Sequence, residues 1–277
     1  MEGQNYVPMF DMLTFTTVKI TCQLKNGNTS SGTGFIFIID YKGEHSIPLI
    51  ITNKHVVKDA DVGTMVFSTH DGSGEYIPKK HYTATILDFE KNWTPHPEPK
   101  IDLCAMPFAP IINEAVASGV HIYYRALTKD ITPTAEQLAD FDTMENIVMV
   151  GYPNGFSDTT NNKPILRRGV TATNPKINYC DDPYFLIDTA VFPGSSGSPV
   201  CIADPMGYAS KGNFMMDSRL LLIGVAFAVF LHNAQGKIIQ VPINQVDLRV
   251  ITGIPNNLGI VVRYDKIFDF ERYFKLP

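Results

Sequence analysis

The sequence predicts an all-β protein in which a short helical connector joins two β units. Short apolar segments rich in β-branched residues recur along the 277 residues, and Gly, Pro, Asn and Asp separate them. Helical patterns are scarce and fall near the middle and the C-terminal end. Short strands at this spacing, bounded by turn residues, are typical of a β-barrel or a β-sandwich.

The first β unit begins with three apolar segments, and the second half of the chain contains four more. "FTTVKITCQL", "TGFIFIID" and "IPLIITN" fill the first fifth, with "GNTSSGTG" as the hairpin turn between the first two strands. The segments of the second half are "NIVMVGYP", "YFLIDTAVF", "LLLIGVAFAVFL" and "LGIVVRYD".

Three stretches carry a helical pattern. In "TPTAEQLADF" Thr132 is the candidate N-cap and Pro133 the first helical residue, which places a connector helix near the midpoint. "INQVDLRVI", from Ile243, and "DKIFDFERYF" near the C-terminal end are short amphipathic candidates. We therefore expect a β unit, a helical connector, a second β unit and a helical tail.

Composition and charge argue against nucleic acid and membrane as the main partners. The chain has 44% hydrophobic and 18% charged residues and a formal net charge of −5, whereas phosphate binding needs a basic face. The longest apolar run, 220–231, is interrupted by Gly224 and is too short to span a bilayer. No secretory signal precedes the first strand, so we expect a cytoplasmic protein.

The cysteines indicate neither a disulfide framework nor a metal centre. They lack Cys-x-x-Cys spacing and are scattered over the chain, at Cys22, Cys104, Cys180 and Cys201. Reduced thiols in a cytosolic protein are the simplest interpretation. We expect no metal and no other cofactor.

One histidine, one aspartate and one serine cluster stand at the edges of predicted strands. His55 follows the apolar strand "LIITN", Asp102 opens the strand in "KIDLCAMPF", and "FPGSSGSPV" supplies the serines. A serine hydroxyl is a weak nucleophile until an imidazole takes its proton, and the imidazole needs a carboxylate on its other nitrogen. A tetrahedral oxyanion then needs backbone N–H donors, which a glycine turn can present.

Each member of this set has an ordinary structural interpretation when it is taken alone. The Gly/Ser/Pro cluster is by default a tight turn, a lone histidine after a strand is usually structural, and Asp102 alone reads as a loop acid. The conjunction favours catalysis, because all three types occur in order, each at a strand edge, with glycines around the serine.

Seven motifs in this order resemble those of the trypsin-like, or chymotrypsin-fold, serine peptidases, above all the bacterial branch that includes the HtrA/Deg proteases. The resemblance covers roughly Val18 to Val250. The motifs are "SGTGFIF", "TNKHVV", "IDLCAM", "MVGYPNG", "DTAVFPGSSGSPV", "LLIGVAFA" for the substrate-pairing strand and "VPINQV" for a closing helix.

The resemblance implies two six-stranded antiparallel β-barrels of chymotrypsin-like fold with a short helical connector and a C-terminal helical tail. Residues 1–127 would form the first barrel, 128–145 the connector, 146–250 the second barrel and 251–277 a tail of strand and helix. The residues after Val250 are too few for the PDZ-like domain of many such proteases.

Carried over by residue, the resemblance makes His55 the general base, Asp102 its orienting acid and Ser196 the nucleophile of a serine endopeptidase. The backbone N–H groups of Gly194 and Ser196 would form the oxyanion hole. Ser198 stands where the family has its second glycine, a substitution that concerns backbone geometry.

The resemblance also implies an apolar primary specificity pocket. Ala190 lies six residues before Ser196, where trypsin-type enzymes have an acid, and Asp188 receives no pocket role. Ala226, Phe227 and Ala228 would pair with the substrate backbone, and the Ala228 methyl would narrow the pocket. We expect polypeptide substrates with small to medium aliphatic residues at the cleavage site.

Two other functions stay open at this point. The chain is either a peptidase or a silent pseudopeptidase that binds peptides through the same fold. A metal-dependent hydrolase using His70, His81 or His96 is disfavoured, because their spacings match no ligand pattern. No Ile-Val-Gly-Gly segment for zymogen activation is present, so we hypothesise that the loop 151–171 is mobile and becomes ordered when a ligand or a regulatory protein partner binds.

Overall fold

The computed structural model describes residues 8–41, 45–237 and 249–274, and the protein is mostly β, as predicted. The strands are β1 (Thr17–Leu24), β2 (Thr29–Tyr41), β3 (His45–Thr52), β4 (Ala60–His70), β5 (Tyr76–Leu87), β6 (Thr94–Pro95), β7 (Cys104–Pro107), β8 (His121–Tyr123), β9 (Asn146–Gly151), β10 (Ile165–Thr171), β11 (Tyr184–Asp188), β12 (Pro199–Asp204), β13 (Tyr208–Ser210), β14 (Asn213–Met215), β15 (Arg219–Lys237) and β16 (Arg249–Arg263). The α-helices are α1 (Met9–Leu13), α2 (Lys54–Val57), α3 (Ala109–Ala117) and α4 (Ala135–Asp140), and the 3-10 segments are Phe89–Asn92, Lys129–Ile131, Pro153–Gly155 and Tyr264–Arg272.

The N-terminal unit is an antiparallel sheet of eight strands. Its order is β5-β4-β1-β2-β3-β7-β6, and β8 pairs with β4. Among the described residues this pairing does not close into the six-stranded barrel that the resemblance implies. The two strands beyond the expected six are β6 and β8, of two and three residues, which pair with β7 and β4.

The C-terminal unit confirms one closed six-stranded barrel, with the order β10-β11-β16-β15-β12-β9. All of its strand pairs are antiparallel. The strand β12 is buried along its whole length, and β9 is buried after Asn146. The barrel includes β16, which continues past residue 250 to Arg263.

The connector helix exists, but the predicted cap is wrong. Thr134 rather than Thr132 caps α4: its hydroxyl accepts the Gln137 N–H at 3.2 Å, and the Gln137 side chain accepts the Thr134 N–H at 2.9 Å. The Thr132 hydroxyl instead donates to Lys129 O at 2.7 Å, within the preceding turn. A reciprocal capping box of this kind satisfies two otherwise free N–H groups, which decides where the helix begins.

The two C-terminal helical predictions have different outcomes. Most of the candidate that starts at Ile243 lies outside the described residues, together with "VPINQV". Its last residues, from Arg249, belong to β16, so the helical assignment is wrong there. The stretch "DKIFDFERYF" is confirmed as helical, in 3-10 form over Tyr264–Arg272.

One hydrophobic core joins the two units. It contains Leu13 and Phe37 from the N-terminal unit, Val150 and Leu222 from the barrel, and Phe270 from the final 3-10 helix, all at most 1% exposed. Truncating such a buried Phe to Ala typically costs about 3–5 kcal/mol. Within the described part of the chain, no helix is long and apolar enough to cross a membrane.

Candidate active site

The pairing of β3 with β7 places His55 beside Asp102. Thr52 at the end of β3 pairs with Cys104 at the start of β7, so the residues that follow one strand meet those that precede the other. Asn53 is extended and fully buried, and its amide donates to Asp102 O at 2.6 Å. The one-turn helix α2 then presents the His55 side chain, which is 47% exposed.

Both carboxylate oxygens of Asp102 bind His55. The His55 Nδ1 atom lies 2.5 Å from Asp102 Oδ2, and the His55 backbone N–H donates to Oδ1 at 3.2 Å. An ionised carboxylate only accepts hydrogen bonds, so this contact puts the imidazole proton on Nδ1. The other ring nitrogen, Nε2, is then free to accept a proton.

Lys54 supports the same pair, a contribution that sequence reasoning missed. Its Nζ donates to Glu98 O and Pro99 O, each at 3.3 Å, and so ties α2 to the loop before Asp102. Burial lowers the pKa of the Lys54 ammonium, and the charge of Asp102 opposes that effect. The only sequence signal was a lysine directly before the histidine in "TNKHVV".

The stretch "PGSSGSPV" forms a turn that leads into β12. Gly194 and Gly197 have positive φ values of +88° and +86°, a region in which L side chains are strained. Ser196 Oγ donates to Phe227 O at 3.5 Å, a long contact. Within the described residues, no hydrogen bond joins the Ser196 hydroxyl to His55. The structure thus joins His55 to Asp102 directly but does not link Ser196 to that pair by a hydrogen bond.

Two backbone N–H groups of this turn lack an acceptor among the described residues: those of Gly194 and Ser196. The N–H groups of the residues that follow each of these have acceptors. The N–H of Ser195 donates to Phe192 O at 2.9 Å, and the N–H of Gly197 donates to Ala226 O at 2.8 Å. Unpaired donors at a turn form a site for a negatively charged oxygen.

Ser198 is accommodated by a glycine elsewhere in the chain. It is fully buried with an ordinary negative φ, so the backbone does not require glycine there. A Cβ on Gly151 would collide with Ser198 Oγ, and Gly151 therefore makes room for the larger residue. The Ser198 hydroxyl has no hydrogen-bond partner within the described structure.

The predicted pocket residues lie along β15 and before the turn. Ala226 is fully buried, and its N–H donates to Ser198 O at 2.9 Å. Phe227 is half-buried and packs on the Tyr184 ring at 4.9 Å between centroids. Ala190 is partly buried, and Ala228 pairs through its backbone with Ile260, while its side chain lies outside the described part.

A cleft of about 480 Å³ opens beside His55 and Asp102. Its wall is mostly apolar, from Val57, Trp93 and Pro95, with Lys58 and Glu90 among its charged residues. A mostly apolar cleft with a few charged groups is typical of ligand sites.

Two histidines of the metal-hydrolase alternative, His96 and His70, make structural contacts. His96 is buried and its Nε2 donates to Lys266 O at 3.1 Å, and His70 stacks on His121 at 5.1 Å. The described residues contain no group of three His, Cys, Asp or Glu side chains that could hold a metal ion.

A closed β-barrel, a His–Asp pair and a glycine turn that carries a serine are the features expected of a trypsin-like serine peptidase. The family described as "Trypsin-like peptidase domain" matches residues 32–205, more than half of the chain, and the chain belongs to this family. No curated protein matches it in sequence.

Several solved bacterial protease structures are similar to the chain at low identity. The active form of the Rv3671c protease from M. tuberculosis has 15% identity and a TM-score of 0.48, with 100% of this chain and 95% of that chain covered. The serine endoprotease from Yersinia pestis has 12% identity and a TM-score of 0.48, with 97% of this chain and 67% of that chain covered. The HtrA-type protease AlgW with a tripeptide has 14% identity and a TM-score of 0.47, with 94% of this chain and 60% of that chain covered.

Proposed function

We propose that this protein is a serine endopeptidase that cleaves polypeptides through an acyl-enzyme. The observation that carries the proposal is the binding of His55 by both oxygens of Asp102, in a chain whose serine turn has two N–H groups without an acceptor among the described residues. Membership of the trypsin-like peptidase family supports it.

In the proposed mechanism, Ser196 Oγ attacks the scissile carbonyl carbon and His55 Nε2 takes the hydroxyl proton. The carbonyl π electrons move to oxygen, and the Gly194 and Ser196 N–H groups bind the resulting oxyanion. The C–N bond then breaks, the amine leaves with the proton from His55, and an ester to Ser196 remains. Water hydrolyses this ester with His55 again as base. Asp102 keeps the imidazole in the required tautomer throughout.

We further propose an apolar primary pocket that accepts small to medium aliphatic side chains. Ala190 offers no charge, and Ala226, Phe227 and Ala228 would pair with the substrate backbone as an added strand. A methylene more or less in such a pocket is worth about 1–3 kcal/mol, so the preference should be loose. Profiling of cleavage sites in a peptide library checks this pocket, and a preference for Arg or Lys contradicts it.

A peptide-binding pseudopeptidase is the second candidate, and one observation favours it. The Ser196 hydroxyl donates to Phe227 O rather than to His55, so general-base activation requires the hydroxyl to rotate. The His55–Asp102 pair and the membership of the trypsin-like peptidase family are why endopeptidase is the first choice.

A fluorophosphonate probe distinguishes the two candidates, because it phosphonylates only an activated serine. We expect the wild-type protein to be labelled, Ser196→Ala to lose labelling, and Ser118→Ala, an exposed serine after α3, to keep it. A folded wild-type protein that resists labelling supports the pseudopeptidase. Labelling that persists in Ser196→Ala contradicts the assignment of the nucleophile.

The proposal extends to the cell compartment and to control. The four cysteines are all free, which suits a reducing cytoplasm. A regulatory protein partner remains part of the proposal. Fractionation of cells that express the tagged protein tests the compartment, and co-purification from the same cells tests the regulatory partner.

A further inference from the structure

We infer that Thr33 is a positioning residue that holds the serine turn in the shape that leaves the Gly194 and Ser196 N–H groups free. This inference deepens the proposed function and rests on it. Thr33 lies in β2, in the sequence "SGTGF", and its side chain is fully buried. No serine-peptidase role was expected of it from the sequence.

Thr33 binds the serine turn with both its backbone and its side chain. Its N–H donates to Ser196 O at 2.8 Å, and its hydroxyl donates to Gly194 O at 2.9 Å. The same hydroxyl accepts the N–H of Tyr152 at 3.1 Å. One threonine of the N-terminal sheet therefore connects the serine turn to the residue that follows β9 of the barrel.

The peptide planes of the turn explain why these contacts matter for the two free donors. In a trans peptide the C=O and N–H point in opposite directions, so holding one group fixes the other. The Pro193 carbonyl accepts the Asn154 N–H at 2.5 Å and the Ser195 carbonyl accepts the Ser198 N–H at 3.0 Å. These two bonds turn the N–H groups of Gly194 and Ser196 to the opposite side.

Thr33 holds the two remaining peptide planes of the turn. The bonded carbonyls of Gly194 and Ser196 belong to the peptides that alternate with the donor-bearing ones. Consecutive peptide planes share a Cα atom, so rotation of a plane held by Thr33 would also change the direction of the N–H group in the adjoining plane. All four carbonyls from Pro193 to Ser196 are thus bonded away from the side where the donors point.

The serine turn lies in direct backbone contact with Thr33. A Cβ added to Gly197 would press against the Thr33 carbonyl, so the two backbones touch. Thr52 fixes Thr33 in turn, since its hydroxyl donates to Thr33 O at 2.6 Å. A buried polar group with every partner in place rigidifies its surroundings.

Thr33→Val tests the inference, because it removes the hydroxyl and keeps the shape. The readout is the second-order rate of phosphonylation by a fluorophosphonate, whose tetrahedral adduct places an oxygen in the oxyanion hole. We expect a loss of about tenfold or more, since a misplaced donor weakens oxyanion binding. Thr33→Ser keeps the hydroxyl and should react within about threefold of wild type.

Thr171→Val is the matched control. Thr171 is also fully buried, and its hydroxyl forms the same kind of bridge, donating to Thr143 O at 2.6 Å and accepting the Glu145 N–H at 2.8 Å. This variant should lose stability like Thr33→Val and still react within about twofold of wild type. Equal slowing of both variants, or a Thr33→Val protein that reacts at the wild-type rate, overturns the inference. A Thr33→Ser protein as slow as the valine variant also overturns it.

A second readout separates this inference from the proposed function. The amide signals of Gly194 and Ser196 in ¹⁵N-labelled protein should move in Thr33→Val and stay in place in Thr171→Val. Unmoved amide signals in Thr33→Val overturn the inference. If the wild type itself fails to react, the proposed function fails while the amide signals still decide the role of Thr33. If the valine variant does not fold, Thr33→Ala is measured in the same way.

Discussion

At the residue scale, Asp102 is fixed more firmly than its position in a loop suggests. One oxygen binds the His55 ring, the other binds the His55 backbone, and the Asp102 carbonyl accepts from Asn53. Three hydrogen bonds from one strand end therefore set the orientation of the imidazole before any substrate arrives. Such preorganisation lowers the reorganisation needed at the moment of reaction.

Asp102→Asn should leave the fold intact and slow the reaction by about 10⁴-fold, because an amide facing Nδ1 favours the wrong imidazole tautomer. The rate of phosphonylation or of peptide cleavage measures this loss. Asp182→Asn, at an exposed ion pair with Lys100, is the control and should keep the wild-type rate. A loss of less than tenfold in Asp102→Asn contradicts the role of the carboxylate.

The sequence identified which residues could form the site but not all of their supports. His55, Asp102 and Ser196 stood out because each is a reactive type at a strand edge. Thr33 and Gly151 did not, since their importance lies in contacts with residues more than 40 positions away. A threonine inside an apolar strand carries no local sign that its hydroxyl binds a distant turn.

At the element scale, the serine turn depends on glycine for two separable reasons. Gly197 combines a positive φ with direct contact against the backbone of Thr33. Gly27, in the hairpin turn between β1 and β2, has a similar φ of +84° but open space within 4 Å of a would-be Cβ. Comparing a substitution at Gly27 with one at Gly197 therefore separates the energetic cost of steric crowding from that of backbone strain.

Gly27→Ala should cost only the left-handed backbone strain, about 1–2 kcal/mol, whereas Gly197→Ala should cost clearly more and also abolish labelling by a fluorophosphonate. Urea unfolding gives the free energies of unfolding for both. Equal destabilisation of the two variants contradicts the crowding that the structure shows at Gly197.

Element boundaries show where local patterns stop being informative. The apolar segments predicted most of the long strands but missed β4 and β5, which have 11 and 12 residues. The strands β6 and β8 have two and three residues, too few for any periodicity to be visible. Thr132 and Thr134 are chemically equivalent cap candidates, and only the side-chain contact with Gln137 decides between them. Closure of the barrel also depends on β11 meeting β16, a pairing between residues far apart in sequence, such as Tyr184 and Val262.

At the scale of the whole molecule, the final 3-10 helix fastens the loop that carries Asp102. His96 Nε2 donates to Lys266 O and lies 3.2 Å from Asp269 Oδ2, while its Nδ1 accepts the Glu98 N–H at 3.1 Å. Lys266 pairs with Glu98 at 2.6 Å. His96 is only 3% exposed, and this burial lowers its pKa, against the opposing effects of Lys266 O and Asp269.

The folded protein therefore favours neutral His96, and its stability should fall as the pH drops below the unfolded-state value near 6.5. The unfolded chain binds the extra proton there, so one group contributes a slope of at most about 1.4 kcal/mol per pH unit. Urea unfolding between pH 7.5 and 5.5 should show this slope in the wild type and less of it in His96→Gln. His121→Gln, altered at a histidine in the short strand β8, should retain the wild-type pH dependence. The same pH dependence in His96→Gln and wild type contradicts the prediction.

The contacts of the last helix form only at the end of synthesis, after the residues that they cover. Glu98 and Lys266 are 168 residues apart, and synthesis at about 5–20 residues per second separates them by roughly ten to thirty seconds. During that interval the loop before Asp102 lacks its contacts with the last helix. The apolar side chains that Phe270 buries in the folded protein are exposed. The nascent chain therefore offers an apolar surface to chaperones until the ribosome has delivered residues 264–272.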